Sequence, residues 1–382
     1  MRSIAQINEK IKKGKAVVVT AEEVIDIVKE KGYKEAYETI DVVTTGTFGP
    51  MCSSGVFINF GHSNPPIRMQ SIMLNDVPAY GGLAAVDTYI GATEVSQKRG
   101  MEYGGGHLIE DLIAGKDIKL HALSNGTDCY PRKEILTTIN KDNINQAYMY
   151  NPRNAYQNYP AATNSTNKTI YTYMGTLLPN YGNITYSTSG ELSPLLNDPY
   201  LRTIGVGTRI FLGGGIGYVA WQGTQHKVEV ERSANGVPVV NAATLAVIGD
   251  IKQMSTKYVR GAVFDRYGVT LFVGIGVPIP ILDEEMLKFV SVKNSEIYTK
   301  LVDKSGNVNI DKKFNYAELR SGTVKFNGKN VHTAPLSSLY VARNIALTLK
   351  DWINRGDFEL TEKVTGLPFE NKVNSLEIRE IK

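Results

Sequence analysis

Several features are scarce in this chain of 382 residues. It has only two cysteines, two tryptophans and five histidines. The longest apolar stretch, from Gly268 to Leu282, is interrupted by Pro278 and Pro280. A transmembrane helix needs about 20 apolar residues, so we expect no membrane span. The first twenty residues lack the apolar core of a secretory signal. We therefore expect a cytoplasmic protein whose thiols stay reduced.

Excess charge of one sign and metal-binding motifs are also lacking. The formal net charge is +4 and the pI is about 8.7, with no block of Lys and Arg. We therefore expect neither nucleic acid nor a membrane surface as a partner. The histidines are scattered and no H-E-x-x-H or C-x-x-C motif occurs, so we expect no metal site. Two glycine clusters, 205–207 and 213–217, fail the dinucleotide fingerprint, which disfavours an NAD-dependent dehydrogenase.

The composition is that of a globular protein with many turns and many phenols. Hydrophobic residues make up 42% and charged residues 21%, with 36 glycines and 21 tyrosines. We predict an α+β fold with mixed sheets, glycine-rich turns and a C-terminal amphipathic helix. No linker or repeat divides the chain, so we expect one large catalytic unit over residues 1–382. A C-terminal subdomain over residues 283–382 is an alternative division.

Local patterns predict individual elements. Thr20 to Glu23 is a capping box that starts a helix ending near Gly32. Apolar spacing after Leu339 predicts an amphipathic helix that ends at Gly356. Asn-Gly pairs predict two hairpin turns, one at 327–328 and one at 235–236 between strands HKVEVER and VPVV. Further elements are predicted as strands at 40–45, 55–60 and 118–123 and a short helix at 108–114.

The two cysteines lie in loops whose composition suits chemistry. Cys52 is surrounded by Gly, Ser, Thr and Pro, which permit unusual backbone angles and supply hydrogen-bond donors. Cys129 precedes Pro131, a residue favoured at the first position of a helix, and Arg132 and Lys133 follow. A helix start and two cations favour a thiolate. We therefore rank Cys129 above Cys52, and expect both loops to converge on one pocket roofed by the tyrosine-rich segment 148–200.

Together these segments resemble the homocysteine biosynthesis (sulfur-incorporation) family. Both cysteines lie inside the matching stretches, which include TTGTFGPMCSSGVFINFGHSNPPIRM, YGGGHLIEDLIAGK, GTDCYPRKE, NPRNAYQNYPAATNST and TIGVGTRIFLGGGIGYV. The match weakens after about Asp283. Longer relatives carry CBS domains, and the family works with a separate ferredoxin-like protein. We expect neither a CBS domain nor a ferredoxin domain in this chain.

The resemblance implies conversion of L-aspartate 4-semialdehyde to L-homocysteine, which needs one sulfur atom and two electrons. It implies a persulfide on Cys129 that delivers sulfur, with Cys52 as the second thiol. Side-chain chemistry suggests Arg132 or Arg153 as the carboxylate clamp and Tyr156 and Tyr159 as donors to the oxyanion. No tightly bound cofactor is expected. Sulfide or a persulfide donor and a reduced ferredoxin-like partner would come from outside.

Two questions stay open at this level. The chain is either the sulfurtransferase itself or a sulfur-relay protein that carries persulfide without its own aldehyde site. The sequence is also compatible with either a monomer or a homo-oligomer. Binding of aspartate semialdehyde would separate the enzyme from the relay protein.

Overall fold

The computed structural model describes residues 1–380. Within this range no helix combines the length and apolar character needed to cross a membrane. Seven α-helices are present in it: α1 (Ile4–Lys12), α2 (Glu23–Thr39), α3 (Gly105–Ile113), α4 (Pro194–Asn197), α5 (Glu284–Val290), α6 (Tyr316–Arg320) and α7 (Leu339–Asn354).

The strands are short and numerous, as expected for a chain rich in glycine turns. In chain order they are β1 (Val18–Thr20), β2 (Val42–Thr44), β3 (Thr47–Pro50), β4 (Gly55–Asn59), β5 (Ser71–Leu74), β6 (Val77–Tyr80), β7 (Asp87–Gly91), β8 (Val95–Ser96), β9 (Gly100–Gly104), β10 (Ile118–Leu123), β11 (Glu134–Ile139), β12 (Gln146–Asn154), β13 (Ala161–Thr163), β14 (Ile170–Thr172), β15 (Gly175–Leu177), β16 (Asn183–Tyr186), β17 (Gly205–Val206), β18 (Arg209–Leu212), β19 (Gly215–Gln222), β20 (Leu245–Asp250), β21 (Val259–Phe264), β22 (Gly268–Gly276), β23 (Pro278–Pro280), β24 (Tyr298–Asp303), β25 (Val308–Asn315), β26 (Thr323–Phe326), β27 (Lys329–Pro335) and β28 (Thr365–Gly366).

A 13-stranded sheet forms the body of the molecule. Its order is β11-β10-β5-β6-β7-β4-β12-β20-β19-β18-β22-β21, and β3 pairs with β22. Neighbouring strands in it are antiparallel. Burial alternates along β4, β7 and β10, so one face is buried and the other is open to solvent. Helix α3 packs on the buried face, where Leu108, Ile109 and Leu112 are fully buried.

A second sheet joins two distant parts of the chain. It has the order β25-β24-β13-β16-β27-β26. β13 is parallel to β24, and β16 is parallel to β27. Residues 298–335 therefore share one layer with residues 161–186. The cavity described below lies where this layer meets the 13-stranded sheet.

A small third sheet, β1-β2-β23, holds the N-terminal segment. Helix α7 packs over it and over β3 and β22. Its apolar side, Ile345, Leu349 and Ile353, is fully buried in a cluster with Ile7 and Phe358. This burial explains why the amphipathic spacing predicted the helix correctly.

Most predicted elements are confirmed. Thr20 and Glu23 form the reciprocal backbone bonds of a capping box, with N···O distances of 2.7 and 3.2 Å. The helix continues past Gly32, which has a φ of 78° and makes a kink inside α2. The strands at 55–59 and 118–123, the helix ending at Ile113 and the hairpin at 327–328 are present.

One predicted pair of strands is wrong. Residues 227–231 and 237–240 form no ladder, and only a single bridge joins Arg232 to Pro238 around the predicted turn. The Arg232 guanidinium donates to the carbonyls of Val228 and Gly236 instead. These side-chain bonds satisfy carbonyls that a ladder would otherwise pair.

Close backbone contact fixes the start of α3 against the large sheet. A Cβ atom on Gly105 would lie 1.8 Å from the Gly91 carbonyl oxygen, and one on Gly106 would lie 2.2 Å from the Thr270 carbonyl oxygen. Both positions therefore exclude any side chain. Thr270 lines the cavity described below, so this contact also supports the site.

We expect Gly105→Ala to destabilise the fold by about 3 kcal/mol, because the backbone must move to admit the methyl group. Gly91→Ala is the matched control, since its Cβ would meet only a Tyr89 ring carbon at 3.9 Å. Urea unfolding followed by circular dichroism measures both. Equal stability of the two variants would contradict the close contact.

Candidate functional site

A cavity of about 390 Å³ opens at the seam between the two large sheets. Its volume is in the range of sites for small molecules. Its walls combine one thiol, one guanidinium, four phenols and several smaller polar groups. The lining residues are Pro50, Cys52, Arg153, Tyr156, Tyr159, Tyr173, Met174, Ser187, Gln225, Phe264, Tyr267, Thr270 and Leu336.

Cys52 lies on the turn between β3 and β4, and hydrogen bonds hold this turn in place. The amide of the fully buried Asn151 donates to Ser54 Oγ at 2.8 Å. Ser53 Oγ donates to Asn151 Oδ1 at 2.9 Å, and Ser54 Oγ donates to the Met51 carbonyl at 2.7 Å. Cys52 itself is an exposed free thiol. The result is an accessible thiol on a fixed backbone.

Arg153 enters the same cavity from the end of β12. Its backbone N–H donates to Asn151 Oδ1 at 2.8 Å, so the residue that anchors the cysteine turn also places the arginine. Its Nε donates to Thr224 Oγ1 at 2.8 Å. This bond fixes the plane of the guanidinium, which suits the recognition of a planar carboxylate.

Tyrosine rings form the opposite wall. Tyr156 and Tyr159 meet edge to face with centroids 5.0 Å apart. Tyr159 and Tyr173 lie 6.3 Å apart, and Tyr173 and Tyr267 lie 6.2 Å apart. The Tyr159 hydroxyl donates to the Tyr173 hydroxyl at 3.1 Å. Three of these four tyrosines come from the segment 148–200, which the sequence predicted as a pocket wall.

The cavity favours the protonated form of its phenols. Burial raises the pKa of Tyr156; the nearby Arg153 guanidinium opposes this rise and Cys52 adds to it. Burial and then the hydrogen bond to Tyr173 raise the pKa of Tyr159. Burial and then Cys52 raise the pKa of Tyr267. Each of the three is therefore neutral near pH 7 and can donate a hydrogen bond.

A smaller chamber of about 50 Å³ adjoins the cavity behind the cysteine turn. The two spaces share Pro50, Tyr156 and Ser187 as walls. Ser193 Oγ, in the chamber, and Thr270 Oγ1, in the cavity, are buried without a hydrogen-bond partner among residues 1–380. Buried hydroxyls of this kind are normally satisfied, so both spaces offer hydrogen bonds to a small polar guest.

The structure places Cys129 elsewhere, and the predicted helix start is wrong. Residues 124–133 form a loop between β10 and β11, and a strand follows Lys133. Reciprocal backbone bonds between Thr127 and Tyr130, at 2.9 and 3.1 Å, close a tight turn around Cys129. Strand pairing of β11 with β10 over six residues overrides the helix signal of Pro131. Cys129 is an exposed free thiol without a helix dipole.

Arg132 does not line the Cys52 cavity. Its Nε donates to the Pro65 carbonyl at 2.9 Å and its Nη2 to the Asn64 carbonyl at 2.8 Å. Both bonds tie the Cys129 loop to the loop that follows β4. Arg132 is therefore a structural clamp here, and Arg153 is the arginine beside the cavity.

The two cysteine loops lie at opposite ends of β4. Cys52 precedes Gly55, the first residue of the strand. Tyr130, next to Cys129, stacks on His62 with centroids 6.1 Å apart, and His62 follows the last residue of the strand. Five residues of a strand span about 17 Å. The prediction that both loops converge on one pocket is therefore wrong within one chain.

Sequence reasoning missed several cavity residues. Tyr173 lies in the predicted tyrosine-rich segment but was not singled out. Tyr267 and Thr270 come from the β21–β22 hairpin, and Gln225 from an irregular loop. No local motif marks Tyr267, Thr270 or Gln225. Tyr267 and Thr270 reach the cysteine turn through the pairing of β22 with β3, which joins distant parts of the chain.

Comparison with known proteins places the chain in a family. Residues 16–360 match a family model described as homocysteine biosynthesis enzyme, sulfur-incorporation. A protein of Methanosarcina acetivorans named L-aspartate semialdehyde sulfurtransferase is 50% identical over 378 residues, which cover 98% of this chain and 74% of that protein. One of Methanocaldococcus jannaschii with the same name is 52% identical, over 96% and 73%.

More distant relatives carry no functional name. An uncharacterised protein of Methanothermobacter thermautotrophicus is 30% identical over 85% of this chain. No solved structure matches the chain. The family model spans most of the chain and includes both cysteine loops and the tyrosine wall, so the chain belongs to the sulfur-incorporating homocysteine biosynthesis enzymes.

Proposed function

We propose that this chain is an L-aspartate semialdehyde sulfurtransferase that uses the Cys52 cavity to make L-homocysteine. The observation that carries the proposal is the meeting of Cys52, Arg153 and four tyrosines in one cavity. Two relatives at 50% and 52% identity bear the name of this activity. A small aldehyde that carries a carboxylate needs three kinds of group in its site. These are a thiol to react with the carbonyl carbon, a cation to bind the carboxylate and neutral hydrogen-bond donors for the carbonyl oxygen.

The number of electrons that the reaction needs depends on the sulfur source. Aldehyde, hydrogen sulfide, two electrons and two protons give thiol and water. When the sulfur arrives as the outer atom of a persulfide, two further electrons and two protons are needed to cleave the S–S bond. Formation of one homocysteine therefore consumes two electrons when the sulfur source is sulfide and four when it is a persulfide.

We assign the sulfur-carrying role to Cys52. Its outer persulfide sulfur would attack the carbonyl carbon, forming a C–S bond while the carbonyl π pair moves onto oxygen. Reductive cleavage of the S–S bond then releases the sulfur with the substrate and restores the Cys52 thiolate. Loss of water and a final two-electron reduction give the product. Cys129, at the far end of β4, takes no direct part in these steps.

Arg153 and the tyrosines orient the substrate. The guanidinium would pair with the α-carboxylate in a bidentate arrangement. None of the residues lining the cavity is Asp or Glu, so the α-ammonium would face tyrosine rings, which attract cations through their π faces. With its carboxylate at Arg153 and its ammonium at the tyrosine rings, the substrate would extend its aldehyde carbon toward the cysteine turn.

The electrons come from outside the chain. Iron–sulfur clusters of the ferredoxin type use four cysteine ligands, and this chain has two cysteines. We propose a reduced ferredoxin-like protein as the electron donor. A persulfide donor loads Cys52 by passing its outer sulfur to the Cys52 thiolate, which releases the thiol of the donor; sulfide alone would need a two-electron oxidant.

The test is anaerobic incubation of the purified protein with aspartate semialdehyde, a persulfide donor and a chemical reductant, with homocysteine measured by mass spectrometry. Homocysteine above the protein-free reaction supports the proposal. The alternative, a relay protein, predicts persulfide on cysteine but no homocysteine and no shift of the melting temperature by aspartate semialdehyde.

We further propose that the enzyme is a homodimer that buries an aromatic face of the 13-stranded sheet. This aromatic face consists of residues on the solvent side of neighbouring strands: Phe57, Tyr80, Tyr89, Tyr148, Tyr150, Tyr218 and Trp221. Tyr80 is 61% and Trp221 59% exposed. Exposed apolar patches of this kind mark interaction sites.

The size of this face fits a second copy of the chain. Six strands from β6 to β19 span about 29 Å, and five residues of each span about 17 Å. Two such faces in contact would bury on the order of 1,000 Å², which is about the lower limit for a specific interface. A two-fold axis would bring this face against the same face of a second copy.

We expect Trp221→Glu to convert the dimer to a monomer, because it places a charge within the apolar contact. Tyr340→Glu is the control, since Tyr340 is 76% exposed on α7, away from this face. Light scattering after size exclusion gives the mass of each. A wild-type protein that is monomeric at tens of micromolar would refute the dimer.

A further inference from the structure

Two groups converge on the phenol oxygen of Tyr173 at the edge of the Cys52 cavity. Lys304 Nζ lies 2.7 Å from the Tyr173 hydroxyl oxygen, and the Tyr159 hydroxyl lies 3.1 Å from it. The Lys304 ammonium also lies over the Tyr173 ring, 4.9 Å from its centroid. Tyr159 and Tyr173 line the cavity, whereas Lys304 stands behind them on the turn that follows β24.

The directions of these bonds follow from the chemistry of the groups. An ammonium has no lone pair and can only donate. Tyr159 also donates to Tyr173. The Tyr173 oxygen thus accepts two hydrogen bonds, and both of its lone pairs are used. Among residues 1–380, no protein acceptor takes the Tyr173 proton, which is left for a guest in the cavity.

The two hydrogen bonds that the Tyr173 oxygen accepts strengthen the one hydrogen bond that its hydroxyl can donate. Hydrogen bonds in a chain polarise one another, and those from a charged donor are the strongest. Tyr156 has the Arg153 guanidinium beside it, but that cation is assigned to the substrate carboxylate, and the Tyr159 proton is already committed to Tyr173. Of the four tyrosines, Tyr173 is therefore the one prepared to act as an acid.

We infer that Tyr173 is the proton donor to the aldehyde oxygen, with Tyr159 and Lys304 as its positioning residues. This inference rests on the proposed function. As sulfur attacks the carbonyl carbon, the π pair moves to oxygen and the Tyr173 proton follows, giving a hydroxyl and a tyrosinate. Lys304 returns a proton to the tyrosinate and is itself reprotonated by solvent. No oxidant or reductant enters this step.

The position of Lys304 links the acid to the outside. Its side chain is half-buried, and its Nζ lies 3.5 Å from Asn307 Oδ1 on the same turn. β24 pairs with β13, the strand that follows Tyr159. A proton can thus be replaced from behind the wall while a substrate fills the cavity.

The main test is Tyr173→Phe, which removes one oxygen and keeps the ring. We expect kcat for homocysteine formation to fall about 100-fold, the usual contribution of a general acid, with KM within about threefold of wild type. Tyr171→Phe is the matched control, since this nearby tyrosine does not line the cavity, and it should keep full activity.

Variants of Lys304 and Tyr159 test whether the hydrogen bonds to the Tyr173 oxygen assist catalysis. Lys304→Met should lower kcat about tenfold with little change in KM, and Lys304→Arg should restore most of the loss because it keeps a cationic donor. Tyr159→Phe should also lower kcat about tenfold. If Tyr173→Phe fails to fold, the Lys304 and Tyr159 variants test the role of Tyr173 instead. A fall of kcat without a change of KM would support it, and an unchanged kcat would overturn it.

The outcomes separate this inference from the proposed function. Wild-type kcat in Tyr173→Phe, with homocysteine still formed, would overturn the role of Tyr173 and leave the sulfurtransferase standing. No homocysteine from the wild-type protein would overturn the function itself. A melting-temperature shift by aspartate semialdehyde that persists in Tyr173→Phe would show that the variant has lost chemistry, not binding.

Discussion

Replacement of Cys52 by serine is expected to lower homocysteine formation about a thousandfold or more. Among residues 1–380, Cys52 supplies the only thiol that lines the cavity. Removing the nucleophile of an enzyme usually abolishes most of its rate enhancement. Serine keeps the size and polarity of the turn, so the melting temperature should stay close to that of the wild type. The anaerobic assay with a persulfide donor and a chemical reductant measures the loss.

Cys129→Ser is the paired variant and should keep at least about a tenth of the wild-type rate. Cys129 is exposed on the β10–β11 loop, about one strand length from the cavity. This order is the reverse of the ranking drawn from the sequence, which depended on a helix start that the structure does not contain. Loss of activity in Cys129→Ser with retention in Cys52→Ser would restore the first ranking and reject the cavity as the site.

Arg153→Met is expected to raise KM for aspartate semialdehyde about 300-fold. Two charge-assisted hydrogen bonds to a carboxylate are worth roughly 3 to 4 kcal/mol together, which corresponds to that factor. The methionine keeps most of the volume of the side chain, so the cavity should not collapse. Initial rates over a range of substrate concentration give KM and kcat separately.

Arg132→Met provides the comparison for Arg153→Met. Arg132 binds two loop carbonyls far from Cys52, so its loss should cost some stability and leave KM unchanged. Arg153→Lys should give an intermediate KM, because lysine keeps the charge and loses the bidentate geometry. Unchanged KM in Arg153→Met would mean that another group binds the carboxylate.

The elements that the sequence predicted well depend on local signals. The capping box at Thr20, the Asn-Gly turn at 327–328 and the apolar side of α7 each act within a few residues. Arg153, Tyr156 and Tyr159 were chosen as substrate-binding residues for their side-chain type, and the structure brings all three to the Cys52 cavity. They lie together because Arg153 is at the end of β12, and Tyr156 and Tyr159 follow in the irregular segment that leaves this end of the sheet.

The failures involve long-range pairing. Pro131 carries a helix signal, but β11 finds a partner in β10 and forms a strand. The separation of the two cysteines depends on the register of β4 with its neighbours, which no local pattern encodes. Lys304 reaches Tyr173 only because β13 and β24 pair across 140 residues of chain.

The pairing of β13 with β24 and of β16 with β27 also governs when the cavity can form during synthesis. Leu336, the last lining residue, follows Cys52 by about 280 residues, which takes on the order of 14 to 60 s at typical elongation rates. Until then the cysteine turn lacks one wall and its thiol faces solvent. The parallel pairings that close the wall join segments of high contact order, the slowest kind to form. Cys52 is thus made early, and the cavity beside it is completed late, when most of the chain has been synthesised.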